Sequence, residues 1–189
     1  MRRWPRRLAI GLGVVAAVGL LAVVGIRQAD GPVWLFGGGP FRSGDWVEFD
    51  ALDWNTLDAL HELEFEIVAA GSSRILWFNV HDGVSYLICD LDCIGGRLPR
   101  WPQQIERDNR VVVRIEGKRV EGKLVHVPHG TAEYKIVRAI RAVKYVGDEG
   151  NREAAETAAH GLVVDVGEKL TGRDQREEPG DRMYRLEPR

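Results

Sequence analysis

Residues Arg74–Cys89 read RILWFNV-HDG-VSYLIC, two apolar runs joined by Asp82-Gly83. Asp-Gly at such a junction signals a two-residue β-hairpin, because both residues tolerate the positive φ that the turn demands. A second pair, RVVVRIEG and KRVEGKLVHV, turns around Gly117. Upstream, Leu63, Phe65, Ile67 and Ala69 alternate with Glu64 and Glu66, the pattern of a strand with one solvated face. With YRLEPR near residue 189, the spacing predicts strands at 63–70, 74–80, 84–90, 110–116, 119–127 and 182–187. Antiparallel strands in this number must close on themselves or be covered, since open edges invite pairing with other chains. The expected architecture is a mainly-β (α+β) barrel of about six antiparallel strands, spanning 46–189, with helices outside it.

Three helices are expected around that barrel. Asp53–Leu63 is one, capped by Asn55 or Thr56, with Leu57 and Leu60 inward. Residues 102–108 can form about two turns with Pro102 at the first position. Thr131–Tyr145 is amphipathic, with Thr131 as cap and Ile136, Val137, Ile140 and Val143 as the buried face. A polar loop and short helix follow at 148–161, and 171–181 is a charged loop.

The N-terminus carries a different signal. Leu8–Ile26 is 19 residues with no charged or polar side chain. A helix rises about 1.5 Å per residue, so this run approaches the roughly 30 Å hydrocarbon layer of a bilayer. Arg2, Arg3, Arg6 and Arg7 precede it and only Arg27 directly follows. That asymmetry predicts a single transmembrane helix at 8–26, a cytoplasmic basic segment at 1–7, and the remainder outside the inner or plasma membrane. The alternative is a cleaved signal peptide, with Val23 and Gly25 as the small residues; the run is long for one and lacks an A-x-A site. Residues 27–45 are rich in Gly and Pro and read as a linker that becomes an ordered loop, with Trp34, Leu35 and Phe36 as an apolar plug.

Charge narrows the partners. The net charge is −2, and residues 1–30 contribute +4 (five Arg, one Asp), leaving −6 for the rest. An acidic domain is a poor nucleic-acid binder. No P-loop, nucleophile elbow or dinucleotide fingerprint is present. Asp53 and Glu62 do not form a convincing acid–base pair.

Cys89 and Cys93 are the two cysteines. In an oxidising compartment they can form a disulfide if the chain turns between them. With His81, His126 or His129 the C-x3-C spacing also suits Cu(I), but the surrounding pattern of a copper-delivery fold is missing, so no metal site is assigned. No C-x-x-C-H for covalent haem occurs.

The stretch RILWFNVHDGVSYLIC, the basic linker RLPRW, the segment IERDNRVVVRIEGKRVEGKLVHV and the helix ending AVKY resemble the FMN-binding split-barrel superfamily over roughly residues 63–145. That group includes pyridoxamine-phosphate-oxidase-like and deazaflavin-dependent nitroreductase-like proteins. The resemblance implies a cofactor of the FMN or F420 type, whose phosphate would be held by Arg74, Arg97 and Arg100 with Trp101 or Trp77 covering a ring face. The family's Ser-x-Lys element after the third strand is replaced by DLDCIGGRLPR. Two function classes follow: a membrane-anchored flavin or deazaflavin oxidoreductase, and a cofactor-free binding or assembly module with a protein partner in the envelope. Split barrels commonly pair, so the resemblance also implies a homodimer, for which strand 119–127 offers an edge.

Overall fold

The computed structural model describes residues 4–33, 37–89, 101–146 and 182–189. Helix α1 spans Trp4–Arg27. Its side chains are described from Gly11 onward, and those of Leu12, Val14, Val15, Leu20 and Val24 are exposed around the whole helix. Among the described residues, no helix is long and apolar enough to cross a membrane.

The rest is a sheet of seven strands: β1 (Asp45–Trp46), β2 (Glu62–Ile67), β3 (Ser72–His81), β4 (Val84–Cys89), β5 (Arg110–Ile115), β6 (Lys118–Val127) and β7 (Arg182–Pro188). The strand order is β1-β6-β5-β2-β3-β4-β7, and β7 pairs again with β6. The six longer strands therefore close into an antiparallel barrel. The short β1 lies parallel to the start of β6, with Asp45 opposite Lys118. Strand 119–127 was expected to be an edge; it pairs with β5 along 118–123 and with β7 along 122–127, so it is not one.

Both hairpins turn as their residues require. Asp82 and Gly83 have φ of 50° and 77°, and Glu116 and Gly117 have 50° and 72°. Two consecutive positive φ values match the right-handed twist of the flanking strands. The alternation in β2 also holds: Leu63, Phe65 and Ile67 are buried while Glu64 and Glu66 lie between them. The strand stops at Ile67, short of residue 70, because Val68–Ala70 tighten into a 3-10 turn that ends on left-handed Gly71.

The barrel interior is filled by Phe65, Ile67, Phe78, Leu87, Val113, Val120 and Leu124. A second, smaller core lies outside the wall, where Tyr134 and Val137 of α4 (Ala132–Val146) pack on Tyr86, Ile88, Val127 and Met183. Strand β4 is thus apolar on both faces, and its sequence VSYLIC shows no alternation.

Three helical expectations need correction. Asn55 and Thr56 do not cap α2 (Trp54–Leu57); Asp53 does, accepting hydrogen bonds from both their amides. The helix is a single turn. Helix α3 (Trp101–Arg107) begins one residue before Pro102. In α4 the cap is Thr131, whose Oγ accepts from Tyr134 N at 3.2 Å, but Ile136 and Val143 are exposed. Polar anchors set that rotation. Lys144 Nζ reaches Phe78 O at 3.0 Å and Asp58 Oδ1 at 2.8 Å, and Tyr145 donates its hydroxyl to Phe78 O. The expected segments at 148–161 and 171–181 lie outside the described residues.

Candidate functional site

Arg74 lies in the first half of β3, directly opposite Phe65 of β2. Opposed residues of an antiparallel pair point to the same face. Phe65 is fully buried in the barrel, so Arg74 leaves the strand on the core face, where Leu63↔Leu76 places apolar side chains on either strand. Its Nε is buried and, among the described residues, has no hydrogen-bond partner. Burial pulls its pKa below the ordinary value, because a charge loses hydration there. A guanidinium in that setting calls for an anion.

Trp77 is three residues on and faces the other way. It pairs with Glu62 and donates its indole N–H to that carboxylate at 3.1 Å. Tyr145 stacks flat against it, with ring centroids 4.8 Å apart and planes 4° from parallel. Arg141 lies over Tyr145 at 5.0 Å. Arg74 and Trp77 therefore occupy opposite faces of β3 and cannot grip one ligand from the same side.

Trp101 is 2% exposed. Its ring meets Phe65 edge-on at 5.4 Å and Tyr184 at 5.0 Å, so it caps the barrel core. Arg97, Arg100 and Cys93 lie outside the described residues. Cys89 ends β4, buried, and is a disulfide cysteine.

The remaining candidates have separate partners. Asp53 is used by its cap, Glu62 by Trp77, and His61 meets Tyr145 edge-on. Arg110 is ion-paired with Asp108, whose pKa that arginine pulls down to about 2. An open groove of about 1050 Å³ runs between α3 and the end of β6, bordered by Arg107, Asn109, His126 and His129. His126 rests against Tyr184 and His129 against Tyr134. Among the described residues, no cluster of three or more His, Cys, Asp or Glu could hold a metal ion.

Sequence reasoning missed a second charged assembly. Arg114 of β5 is ion-paired with Asp30 at 3.1 Å and with Glu64, and its guanidinium lies 4.4 Å from the Phe41 ring centroid. Asp30 accepts from the amides of Arg42 and Ser43 and from the Ser43 hydroxyl. These hydrogen bonds, the Arg42 amide foremost, hold the Asp30 carboxyl well below the usual range. Glu66 accepts from Phe41 N at 2.7 Å, and Arg119 donates to Gly44 O and Phe41 O. The signal available was weak: two acids on the solvated face of β2, and a single Asp soon after the apolar run.

No family model matches the chain, and no curated protein matches it. Solved structures do. HutZ, the heme storage protein of Vibrio cholerae, aligns at 11% identity and TM-score 0.41, covering 71% of this chain and 87% of its own. An FAD-binding protein of Mesorhizobium loti aligns at 11% and 0.36, covering 71% and 83%. A putative pyridoxamine 5′-phosphate oxidase of Listeria innocua aligns at 16% and 0.34, covering 71% and 88%.

Proposed function

We propose that this chain is a membrane-anchored split-barrel protein that binds a flavin-type cofactor through a phosphate. Arg74 carries the reading: its Nε is buried on the core face without an acceptor among the described residues. A phosphate oxygen would satisfy that donor and restore a counter-charge, and Arg–phosphate pairing is geometrically favoured. Arg97 and Arg100 are the further proposed ligands. When bound, a flavin or deazaflavin would supply the redox chemistry. The chain's own residues would hold the phosphate, and Trp77, on the opposite face of β3, would not reach the same ligand. Trp101 belongs to the core and is not assigned to the ring.

The helix is proposed as the anchor. The exposed side chains of α1 between Leu12 and Val24 are apolar on all sides, a pattern that suits burial in lipid better than contact with water. The sequence continues that run upstream to Leu8. A disulfide cysteine at residue 89 supports an oxidising compartment for the barrel, hence an extracytoplasmic location.

The test is the absorbance spectrum of the full chain purified in detergent, with released ligand identified by mass. A stoichiometric flavin or deazaflavin that Arg74→Met removes supports the reading. A folded, colourless protein that takes up neither FMN, FAD nor F420 overturns it.

That outcome would favour the second reading, a cofactor-free envelope module. The observation behind it is that both tryptophans proposed for ring stacking already have aromatic partners. In either case a second copy of the chain is the proposed partner.

A further inference from the structure

The joint between helix and barrel has almost no slack. Asp30 lies three residues beyond the end of α1, a reach of at most about 11 Å. From there the chain is fastened: Asp30 to Arg114, Arg42 and Ser43, Glu66 to Phe41 N. Arg42 also donates to Gln28 Oε1, one residue past the helix. Gly39 packs so closely on the helix end that a Cβ there would lie 2.6 Å from Arg27 O and 2.5 Å from Ala29 O. The same Gly39 accepts a hydrogen bond from Ser73 Oγ of β3. The helix end, the loop and the barrel wall are thus in direct succession.

The contacts continue sideways to an exposed tryptophan. A Cβ on Gly44 would touch both Arg114 and Arg119, and the Arg119 guanidinium lies 4.5 Å from the Trp46 ring centroid. Trp46 is 55% exposed and Arg42 is exposed beside the helix end. Tryptophan is enriched at membrane–water interfaces, where its amphipathic ring sits at headgroup level, and an exposed arginine beside it can pair with a phosphate.

We infer that the barrel rests on the bilayer through the surface holding Arg42, Arg119 and Trp46, in contact with phospholipid headgroups. This rests on the anchoring reading above. A helix ending at Arg27 delivers the fastened loop into the headgroup zone, which adds roughly 5–8 Å beyond the hydrocarbon on each side. Asp45 and Glu48, exposed beside Trp46, would repel a phosphate, so phosphate contact falls to the exposed Arg27 and Arg42 while Trp46 supplies the interfacial ring.

The experiment places a nitroxide at one position at a time in the full chain, in phosphatidylcholine–phosphatidylglycerol vesicles. Substitutions are Val18→Cys, Trp46→Cys and Val143→Cys, all exposed in the structure; Cys89 is already in a disulfide and does not compete for label. Collisions with oxygen report lipid, and collisions with an aqueous nickel chelate report water. The expected result is position 18 in hydrocarbon, position 46 at headgroup depth with loss of nickel collisions, and position 143 in water. Position 18 in hydrocarbon with 46 as nickel-accessible as 143 overturns the docking surface and leaves the anchor standing. Position 18 in water overturns the anchor, and the docking surface with it.

Discussion

Arg74 and Phe65 stand opposite each other across the β2–β3 ladder, on one face, the first charged and the second wholly buried. An unsatisfied buried donor costs on the order of 1–3 kcal/mol. In ligand-free protein, Arg74→Met should therefore be neutral or stabilising by about 1 kcal/mol in urea denaturation. In the presence of saturating cofactor the sign should reverse, because the variant loses linked binding energy. A large loss of stability without any ligand would mean that Arg74 already has an anionic partner.

The close approach of Gly38 to Gly31 predicts a specific intolerance. A Cβ added at Gly38 would lie 1.7 Å from Gly31 O and 2.9 Å from Pro32 Cα, both backbone. Gly38 also exchanges hydrogen bonds with Ser73. Gly38→Ala should cost at least about 2 kcal/mol of stability and loosen the bridge to Ser73, with faster proteolysis of the native protein. Gly71→Ala, where a Cβ meets nothing but φ is 53°, should cost less, about 1 kcal/mol. Limited proteolysis and denaturant melts of both variants decide this.

Acid stability follows from the carboxylates held by arginines. Asp108 falls from an ordinary value of 3.8 to about 2, chiefly through hydrogen bonds from Arg110. A lowered folded-state pKa contributes stability that is fully present above the unfolded value and is lost as pH falls through the folded one. Unfolding at fixed urea should therefore steepen between about pH 4 and pH 2. Asp108→Asn should flatten that limb, and Asp30→Asn should do so as well, with an added loosening of the joint seen as faster amide exchange at Arg42 and Ser43.

Asp58 Oδ1 accepts from both Lys144 Nζ and Val80 N, each at 2.8 Å. The lysine is 10% exposed, so the two partners are unequal when removed. Asp58→Ala leaves a largely buried ammonium without its counter-charge and a strand amide without an acceptor, and should cost about 3 kcal/mol. Lys144→Met keeps the packing over Phe78 and should cost about 1 kcal/mol. The double variant should be more stable than Asp58→Ala alone; strict additivity would show that the pair is not coupled.

The barrel was legible in the sequence because hairpins are local. Asp82-Gly83 and Gly117 set two registers, and the Leu63/Phe65/Ile67 alternation set a face. The rotation of α4 was not legible, since Ile136 and Val143 look as apolar as Val137; what decides is that Lys144 and Tyr145 find carbonyls on β3, sixty-odd residues away in the chain. The capping of α2 was misread for a related reason: Asn55 and Thr56 are both good caps, and Asp53 outcompetes them by accepting from both. At the candidate site, Arg74 was found by resemblance and its burial only by the fold. Trp77 and Trp101 were grouped with it by nearness in type, while the parity of β3 separates Trp77 and the core claims Trp101. The Arg114–Asp30 pair joins residues 84 apart and had no local trace.

Strand β7 closes the barrel by pairing with β4 on one side and β6 on the other, yet it begins 93 residues after β4 ends at Cys89 (182 − 89). A chain emerging N-terminus first, from a ribosome or through a translocation channel, would present β2 to β6 as an open sheet with two bare edges until residues 182–188 follow. During that interval both edges are templates for a neighbouring copy. The order of emergence thus leaves closure to the last strand of the chain, and it is those two edges that must stay apart from other chains until it arrives.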